Sequence, residues 1–378
     1  MTSYRPSVLF VINSLAGGGA ERVLSRLLAL SEPYAERYRI SLALLDKVDT
    51  AYPIPDFVTV HQLDSRGGFW RSILELRRLV RAADPDLRLS FLTRANVANR
   101  FAAPRRAVPW IVSERINTSA HLGTGLRALV VKALVRLTYP RATRVIAVSR
   151  GVGEELVRHY GVDRARIDVV ANPVDLDAIR AEGAKPDALA IADPFVFAMG
   201  RLTGSKNHAM LMRAFARSGL AGRLVIAGEG PDRDALLACV QQLGIADRVD
   251  LPGFLANPYA TMRRARVFAL SSNVEGFPNA LVEALALGVP SVATNCPDGP
   301  AEILAGKSLA EISGLVVAEA GVIVPVDDDR LLADALKMLF EGPLREAVIT
   351  GATERIQAFS PRQAVEHYWG IIERALAR

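Results

Sequence analysis

Glu275 and Glu283 stand eight positions apart in Glu275-Gly276-Phe277-Pro278-Asn279-Ala280-Leu281-Val282-Glu283, directly after the apolar run Val267-Phe268-Ala269-Leu270. Proline is tolerated in the first turn of a helix, where its missing N–H would have no partner anyway. Pro278 therefore predicts a helix start, with Glu275 in the preceding loop and Glu283 about one turn inside. A helix start offers backbone N–H groups and a partial positive charge to an anionic ligand. Two carboxylates beside it suit the hydroxyls of a sugar and a ribose. Acidic residues also gather at helix starts for purely local reasons, so the spacing gains meaning only together with other groups.

Gly200-Arg201-Leu202, with Lys206 close behind, follows the apolar run Phe195 to Met199. In open α/β sheets ligands bind outside the carboxyl ends of the strands. There an arginine can grip two phosphate oxygens and a lysine acts as a point charge, so the pair could neutralise a leaving diphosphate without metal. Gly228-Glu229-Gly230-Pro231 and Gly253-Phe254 follow the next two apolar runs, and Gly17-Gly18-Gly19 follows the first run of the chain. Glycines at such places let backbone approach a ligand closely. The first loop does not complete a dinucleotide fingerprint, because Arg22 fills the third glycine position, although Asp46 ends the second run where a ribose-binding acid would stand. Asp84-Pro85-Asp86 precedes its strand, Asp175-Leu176-Asp177 starts a helix, and Asp327 to Asp329 lies in a loop before Leu331. None of these is placed as a metal-ligand pair.

The elements that must position these groups are ample. With 378 residues, half of them hydrophobic, the chain can bury two ordinary cores. No run of about eighteen uncharged apolar residues and no cleavable leader occurs, which predicts a protein on the cytoplasmic side. Two cysteines, Cys239 and Cys296, and five scattered histidines argue against a disulfide framework and a zinc site.

The net charge of +6 is unevenly spread: Arg66 to Arg150 holds seventeen Lys/Arg against four acids, while Phe195 onward holds eighteen against twenty. Gly125 to Arg144 reads as a basic amphipathic helix, with Arg127, Lys132 and Arg136 among Leu and Val, and Phe69-Trp70 beside Arg71 could act as a wedge. Such segments lie on anionic membrane surfaces, a solvated basic face being the alternative. The region lacks the interleaved aromatics and the recognised module of a nucleic-acid binder, so no nucleic acid is expected as a partner.

Short apolar runs at Val8 to Ile12, Ile40 to Leu45, Leu87 to Leu92, Pro109 to Val112 and Val145 to Val148 alternate with helical patterns. After the Pro- and Asp-bearing stretch Lys185 to Pro194 the alternation restarts, with runs at 195–199, 224–227, 249–251, 267–270 and 291–294. Continuous apolar strands separated by helices predict parallel, doubly wound sheets buried on both faces. The expected division is residues 1–182 and 183–361, with a closing helix over 362–378 packing back on the first half.

Several motifs in order make the chain resemble the retaining family 4 glycosyltransferases nearly end to end. They are Gly17 to Arg22, Ala147-Val148-Ser149 with Asn172-Pro173-Val174-Asp175, Gly200-Arg201-Leu202 with Lys206-Asn207, Gly228 to Pro231, Gly253-Phe254 and the Glu275/Glu283 segment. The resemblance implies a GT-B fold, two Rossmann-like α/β domains facing an interdomain cleft, acceptor-binding first and donor-binding second. It implies that Arg201, Lys206 and Glu275 act at the reaction centre and that Glu283 binds the donor ribose. Gly18, Gly19, Gly228, Glu229, Gly253, Phe254, Gly276, Phe277, Pro278, Asn279, Ala280 and Leu281 would complete the donor site, Phe254 bordering the base. Arg94, Asn96, Glu114 and Arg115 are expected on the acceptor side, with Asn99 as a further contact. Arg115 stands where many family members carry a histidine beside the donor sugar.

The expected activity is transfer, with retention and without metal or other cofactor, of a hexose or N-acetylhexosamine from a nucleotide-sugar. A UDP-sugar is favoured over GDP-mannose. The acceptor would be a hydroxyl of a lipid-linked or surface glycan, such as a polyprenyl-diphosphate-linked sugar, and the enzyme would sit peripherally on the inner face of the membrane. A GT-B nucleotide-sugar epimerase and a non-catalytic sugar-nucleotide-binding assembly protein are the alternatives.

Overall fold

The computed structural model describes residues 4–102, 107–119, 125–192 and 194–377. His121 and the basic residues Arg105 and Arg106 lie outside the described residues. The chain divides into two compact units, Met1–Pro173 with Pro361–Arg378, and Val174–Ser360.

The first unit holds seven parallel strands: β1 (Ser7–Ile12), β2 (Arg39–Leu44), β3 (Thr59–Gln62), β4 (Leu87–Phe91), β5 (Trp110–Glu114), β6 (Arg144–Ala147) and β7 (Ile167–Val169), in the order β3-β2-β1-β4-β5-β6-β7. Every residue of β1 is buried. Alternation sends Val8, Phe10 and Ile12 into one core and Leu9 and Val11 into the other. The first core is closed by Leu24, Leu27 and Leu28 of helix Gly19–Ala29 and by the chain's last helix, Pro361–Leu376. Its fully buried Trp369 stacks on Tyr34 at 4.5 Å and donates to Ser31 Oγ at 2.8 Å.

The second unit repeats the plan with β8 (Phe195–Met199), β9 (Arg223–Ala227), β10 (Val249–Gly253), β11 (Val267–Leu270), β12 (Ser291–Thr294), β13 (Val316–Ala318) and β14 (Gly321–Val324), ordered β10-β9-β8-β11-β12-β14-β13. Six strands run parallel and β13 pairs antiparallel with β14. The sequence reading did not anticipate that edge hairpin, nor β3 and β7, whose short runs carry charge and polarity and are half-solvated.

Each sheet reverses its winding beside its first strand, between β1 and β4 and between β8 and β11. The carboxyl ends of those strands are where an open sheet leaves a crevice.

The boundary between the units falls at 173/174, not at 182/183. Helix Leu176–Gly183 packs on helices Pro258–Arg264 and Asn279–Ala286, Arg180 Nε donating to the Ala286 carbonyl at 3.2 Å. That packing assigns the helix to the second unit, and composition carries no trace of it. The predicted basic helix spans Leu126–Thr138 and stops early, since Pro140 leads into a short 3₁₀ turn before β6.

Candidate active site

In the second unit the loops leaving β8 and β11 meet. The turn Gly204–Lys206 ends at Asn207, which takes a left-handed conformation (φ 47°), and its side-chain oxygen caps helix His208–Ser218 by accepting from Met210 N–H. Asn207 Nδ2 donates to Asn273 Oδ1 at 2.9 Å and to Asp327 Oδ1 at 2.7 Å, binding three loops together. Lys206 Nζ then lies 2.6 Å from Glu275 Oε1, and the Glu275 side chain is only 8% exposed. Ser272 Oγ donates to the same oxygen at 2.6 Å. Behind them, burial and the Lys206 charge push the His208 imidazole down to about 4, so it is neutral at physiological pH. Burial also raises the thiol of Cys296, with the Glu275 charge adding to the effect. The Arg201 side chain is exposed and has no ion pair among the described residues.

Gly228 and Gly230, after β9, press so closely on the loop leaving β8 that no side chain fits between them. A Cβ on Gly228, whose φ is +138°, would lie 1.9 Å from the Gly200 carbonyl oxygen, and one on Gly230 would lie 2.2 Å from that of Leu202. The turns are locked by Leu202 N–H to the Glu229 carbonyl (2.9 Å) and Gly228 N–H to the Gly253 carbonyl (2.8 Å). Glu229 and Phe254, 74% exposed, stand at the open end of these turns.

Pro278 occupies the capping position (φ −76°), one residue earlier than its expected place in the first turn, and the helix runs Asn279–Ala286 with no side-chain cap. Gly276, Phe277, Pro278 and Leu281 are buried, Phe277 edge-on to Phe359 at 5.5 Å, while Asn279 and Ala280 are half-buried. Glu283 is 4% exposed and accepts from the Tyr259 hydroxyl at 3.3 Å.

In the first unit the loop after β1 is organised by one carboxylate. Glu21 Oε2 accepts from the amides of Gly17 (2.7 Å) and Gly18 (2.6 Å), and Oε1 accepts from Ser14 Oγ (2.9 Å). Those two amides are thus engaged by the chain itself, whereas Gly19 opens the helix. Across the switch point, Arg94 is ion-paired with Asp46 and also donates to Asn13 Oδ1 and Ser72 Oγ. Burial pushes the Asp46 carboxyl up, but the hydrogen bonds from Arg94 and the Gly67 amide hold it below the usual range. Leu92, just before helix Thr93–Phe101, is strained at φ 72°.

Glu114 is fully buried at the end of β5. It accepts from the Tyr139 hydroxyl at 2.6 Å, from the Arg115 amide at 3.1 Å and from Thr93 Oγ1 at 3.3 Å. Burial raises it to about 7. Arg115 turns inward to the Tyr368 hydroxyl (2.8 Å), the Val170 carbonyl (3.3 Å) and Asn172 Oδ1.

Comparison with known proteins decides what the two units are. Residues 17–178 match the model described as Glycosyltransferase Family 4, and residues 183–355 match that of Glycosyl transferases group 1. A protein of Campylobacter jejuni subsp. jejuni serotype O:2 is 32% identical, covering 92% of this chain and 94% of its own. It is named N-acetylgalactosamine-N,N'-diacetylbacillosaminyl-diphospho-undecaprenol 4-alpha-N-acetylgalactosaminyltransferase. This chain belongs to the family 4 glycosyltransferases. The lipopolysaccharide core biosynthesis glycosyltransferase LpsD of Rhizobium meliloti is 29% identical over 82% of this chain and 80% of its own. Among solved structures, Anabaena HepE in complex with UDP superposes with a TM-score of 0.76 at 21% identity, covering 97% of this chain and 100% of its own. That likeness places the glycosyltransferase in the GT-B fold. Relatives named as transferases do not favour the epimerase or the non-catalytic alternative.

The structure brings Lys206 and Glu275 into contact, with Arg201 in the same loop and Glu283 one turn along the helix. The residues expected on the acceptor side lie in the first unit and are mostly buried. In this glycosyltransferase Asn96 is fully buried, donating to the Ser113 carbonyl and the Tyr139 hydroxyl, and Asn99 donates to Ser90 Oγ. Glu114 and Arg115 are buried, while Arg94 is partly exposed and paired with Asp46. Ser271, Ser272 and Asn273 escape the sequence reading, because hydroxyls and amides in a loop carry no distinctive spacing, and Asp327 enters it only as part of an acidic pair. Among the described residues no group of three or more His, Cys, Asp or Glu is arranged to hold a metal ion.

Proposed function

We propose that this enzyme transfers a hexose or N-acetylhexosamine from a UDP-sugar to a hydroxyl of a polyprenyl-diphosphate-linked or surface glycan, with retention and without a metal ion. The observation that carries the reading is the Lys206–Glu275 pair at the switch point of the second sheet, flanked by Arg201 and by glycine turns with no room for side chains. A donor diphosphate entering there takes Lys206 and Arg201 as counter-charges. The uncapped start of helix Asn279–Ala286 offers amides to its oxygens or to the sugar. Glu275 accepts from a sugar hydroxyl and Glu283 from the ribose.

In the transfer step the acceptor oxygen bonds to the anomeric carbon on the face from which the diphosphate departs. The carbon–phosphate-oxygen bond breaks, and the acceptor proton passes to the departing phosphate. Configuration is kept, and no protein base is needed. The two cations stabilise charge where it develops, a contribution of about 10²–10³ in rate for one such donor.

The acceptor class follows the Campylobacter relative, whose name specifies a diphospho-undecaprenol substrate. The UDP base is carried over from the complex of HepE. The first unit supports a membrane position. Helix Leu126–Thr138 buries only Ala128, Val135 and Thr138, and exposes Leu126 (79%), Leu129 (64%), Val130 and Leu137 as one apolar stripe among its cations. Helix Thr93–Phe101 packs between it and helix Phe69–Ala83, which exposes Trp70 (75%) and Leu74. No helix among the described residues is long and apolar enough to cross a membrane, so attachment at the inner face would be peripheral.

The test is a panel of UDP-, GDP- and ADP-sugars in thermal shift with and without EDTA, followed by transfer from the responding donor to a polyprenyl-diphosphate-linked sugar. The expected result is an EDTA-insensitive shift from UDP-sugars and an α-linked product from an α-linked donor by NMR. A β-linked product, or turnover abolished by EDTA and restored by a divalent cation, would refute the mechanism.

A further inference from the structure

We infer that Ser272 is a positioning residue that, together with Lys206, decides which oxygen of Glu275 meets the ligand; the inference rests on the donor-site reading above. Glu275 Oε1 receives both Lys206 Nζ and Ser272 Oγ at 2.6 Å. Oε2 has no hydrogen-bond partner among the described residues. Hydrogen bonds to a charged acceptor are short and about twice as strong as neutral ones. Two of them on one oxygen fill its capacity and fix the carboxylate plane, which leaves Oε2 as the atom able to accept from a donor-sugar hydroxyl.

Ser272 is held as firmly as the carboxylate it holds. It is 1% exposed, and its carbonyl accepts from Thr294 Oγ1 at 2.5 Å. Its neighbours fasten the other half of the pair: Ser271 Oγ donates to the Lys206 carbonyl at 2.9 Å, and Asn273 N–H donates to the Ser205 carbonyl at 2.8 Å. Three consecutive residues at the end of β11 therefore set both members of the ion pair, Ser271 and Asn273 through the lysine loop and Ser272 through the carboxylate. Without the Ser272 hydroxyl, Lys206 alone can pair with either oxygen, and the carboxylate can rotate to share both with the ammonium. A preorganised group held by a second layer of hydrogen bonds would then be lost, although every atom facing the ligand remains.

The experiment compares Ser272→Ala, Ser272→Cys, Glu275→Ala and the double variant Ser272→Ala/Glu275→Ala, with UDP binding by calorimetry and turnover of the UDP-sugar that gives the thermal shift. Cysteine keeps the shape of serine with a somewhat larger and weaker donor, so it keeps the test alive if the alanine variant fails to fold. The expected result is UDP affinity within about twofold of the parent and kcat lowered roughly 10- to 100-fold in both serine variants. In the Glu275→Ala background, removal of the hydroxyl should cost nothing further, because the serine acts only through the carboxylate. Full kcat in a folded Ser272 variant, or equal losses with and without Glu275, overturns the positioning role. Full activity of Glu275→Ala would instead overturn the site reading itself, so the two failures are distinguishable.

Discussion

Lys206 Nζ and Glu275 Oε1 are 2.6 Å apart, although 69 residues of chain separate them. Each neutralises the other, and in the proposed reaction a diphosphate draws the ammonium toward itself while a sugar hydroxyl engages the carboxylate. Lys206→Ala should therefore weaken donor binding and turnover together, lowering kcat/KM by about 10²–10³. Glu275→Ala should lower transfer by roughly 10³, to a small but measurable residual rate, while leaving the melting temperature close to that of the parent. Steady-state kinetics beside a thermal melt checks both, and an unaltered KM with Lys206→Ala would remove the lysine from the diphosphate site.

Glu114 has an ordinary value of 4.5 and is raised to about 7, chiefly by burial, with the charge of Glu155 adding to the rise and the bonds from Tyr139, the Arg115 amide and Thr93 opposing it. Between those two values the folded chain binds more protons than the unfolded one, so stability falls as pH rises from about 4.5 through about 7. The full loss is about 3 kcal/mol. Glu114→Gln removes the titration and keeps an acceptor for Tyr139. Melting temperatures from pH 5 to 8 should decline less in the variant than in the parent, and parallel curves would show that Glu114 titrates normally.

Gly228→Ala places a Cβ against the Gly200 carbonyl at a φ of +138°. Two backbone segments must part to admit it, at a cost of more than about 3 kcal/mol. The outcome to expect is insoluble or poorly melting protein, whereas Gly244→Ala, where a Cβ meets nothing within 4 Å, should cost much less. Denaturant unfolding of the two variants makes the comparison.

On the membrane side, Arg127→Glu combined with Leu129→Ser and Val130→Ser alters only exposed positions of helix Leu126–Thr138. Each cation near an anionic surface contributes about 1 kcal/mol, and the apolar stripe adds burial in the headgroup region. Co-sedimentation with phosphatidylglycerol vesicles should be strong for the parent at low salt, weak with phosphatidylcholine vesicles, and largely lost in the triple variant. Unchanged sedimentation would reject this face as the contact.

Local chemistry determined much of this glycosyltransferase from its sequence. Short continuous apolar runs such as Val8 to Ile12, bounded by turn residues, read as strands covered on both faces, and glycines and cations at their ends mark the ligand side of an open sheet. Periodicity and turn chemistry act over a few residues, so they survive reading without coordinates. Tertiary structure decided which polar residues are buried and what they meet. Asn96, Glu114 and Arg115 carry the same chemical credentials as Glu275, yet they are enclosed in the first unit and hydrogen-bonded within it, because a polar group inside must find partners there. It likewise assigned helix Leu176–Gly183 to the second unit and placed Ser272 on the oxygen of Glu275 that Lys206 also holds. Those outcomes depend on contacts between segments tens of residues apart, where no spacing in the chain records which side chains will meet.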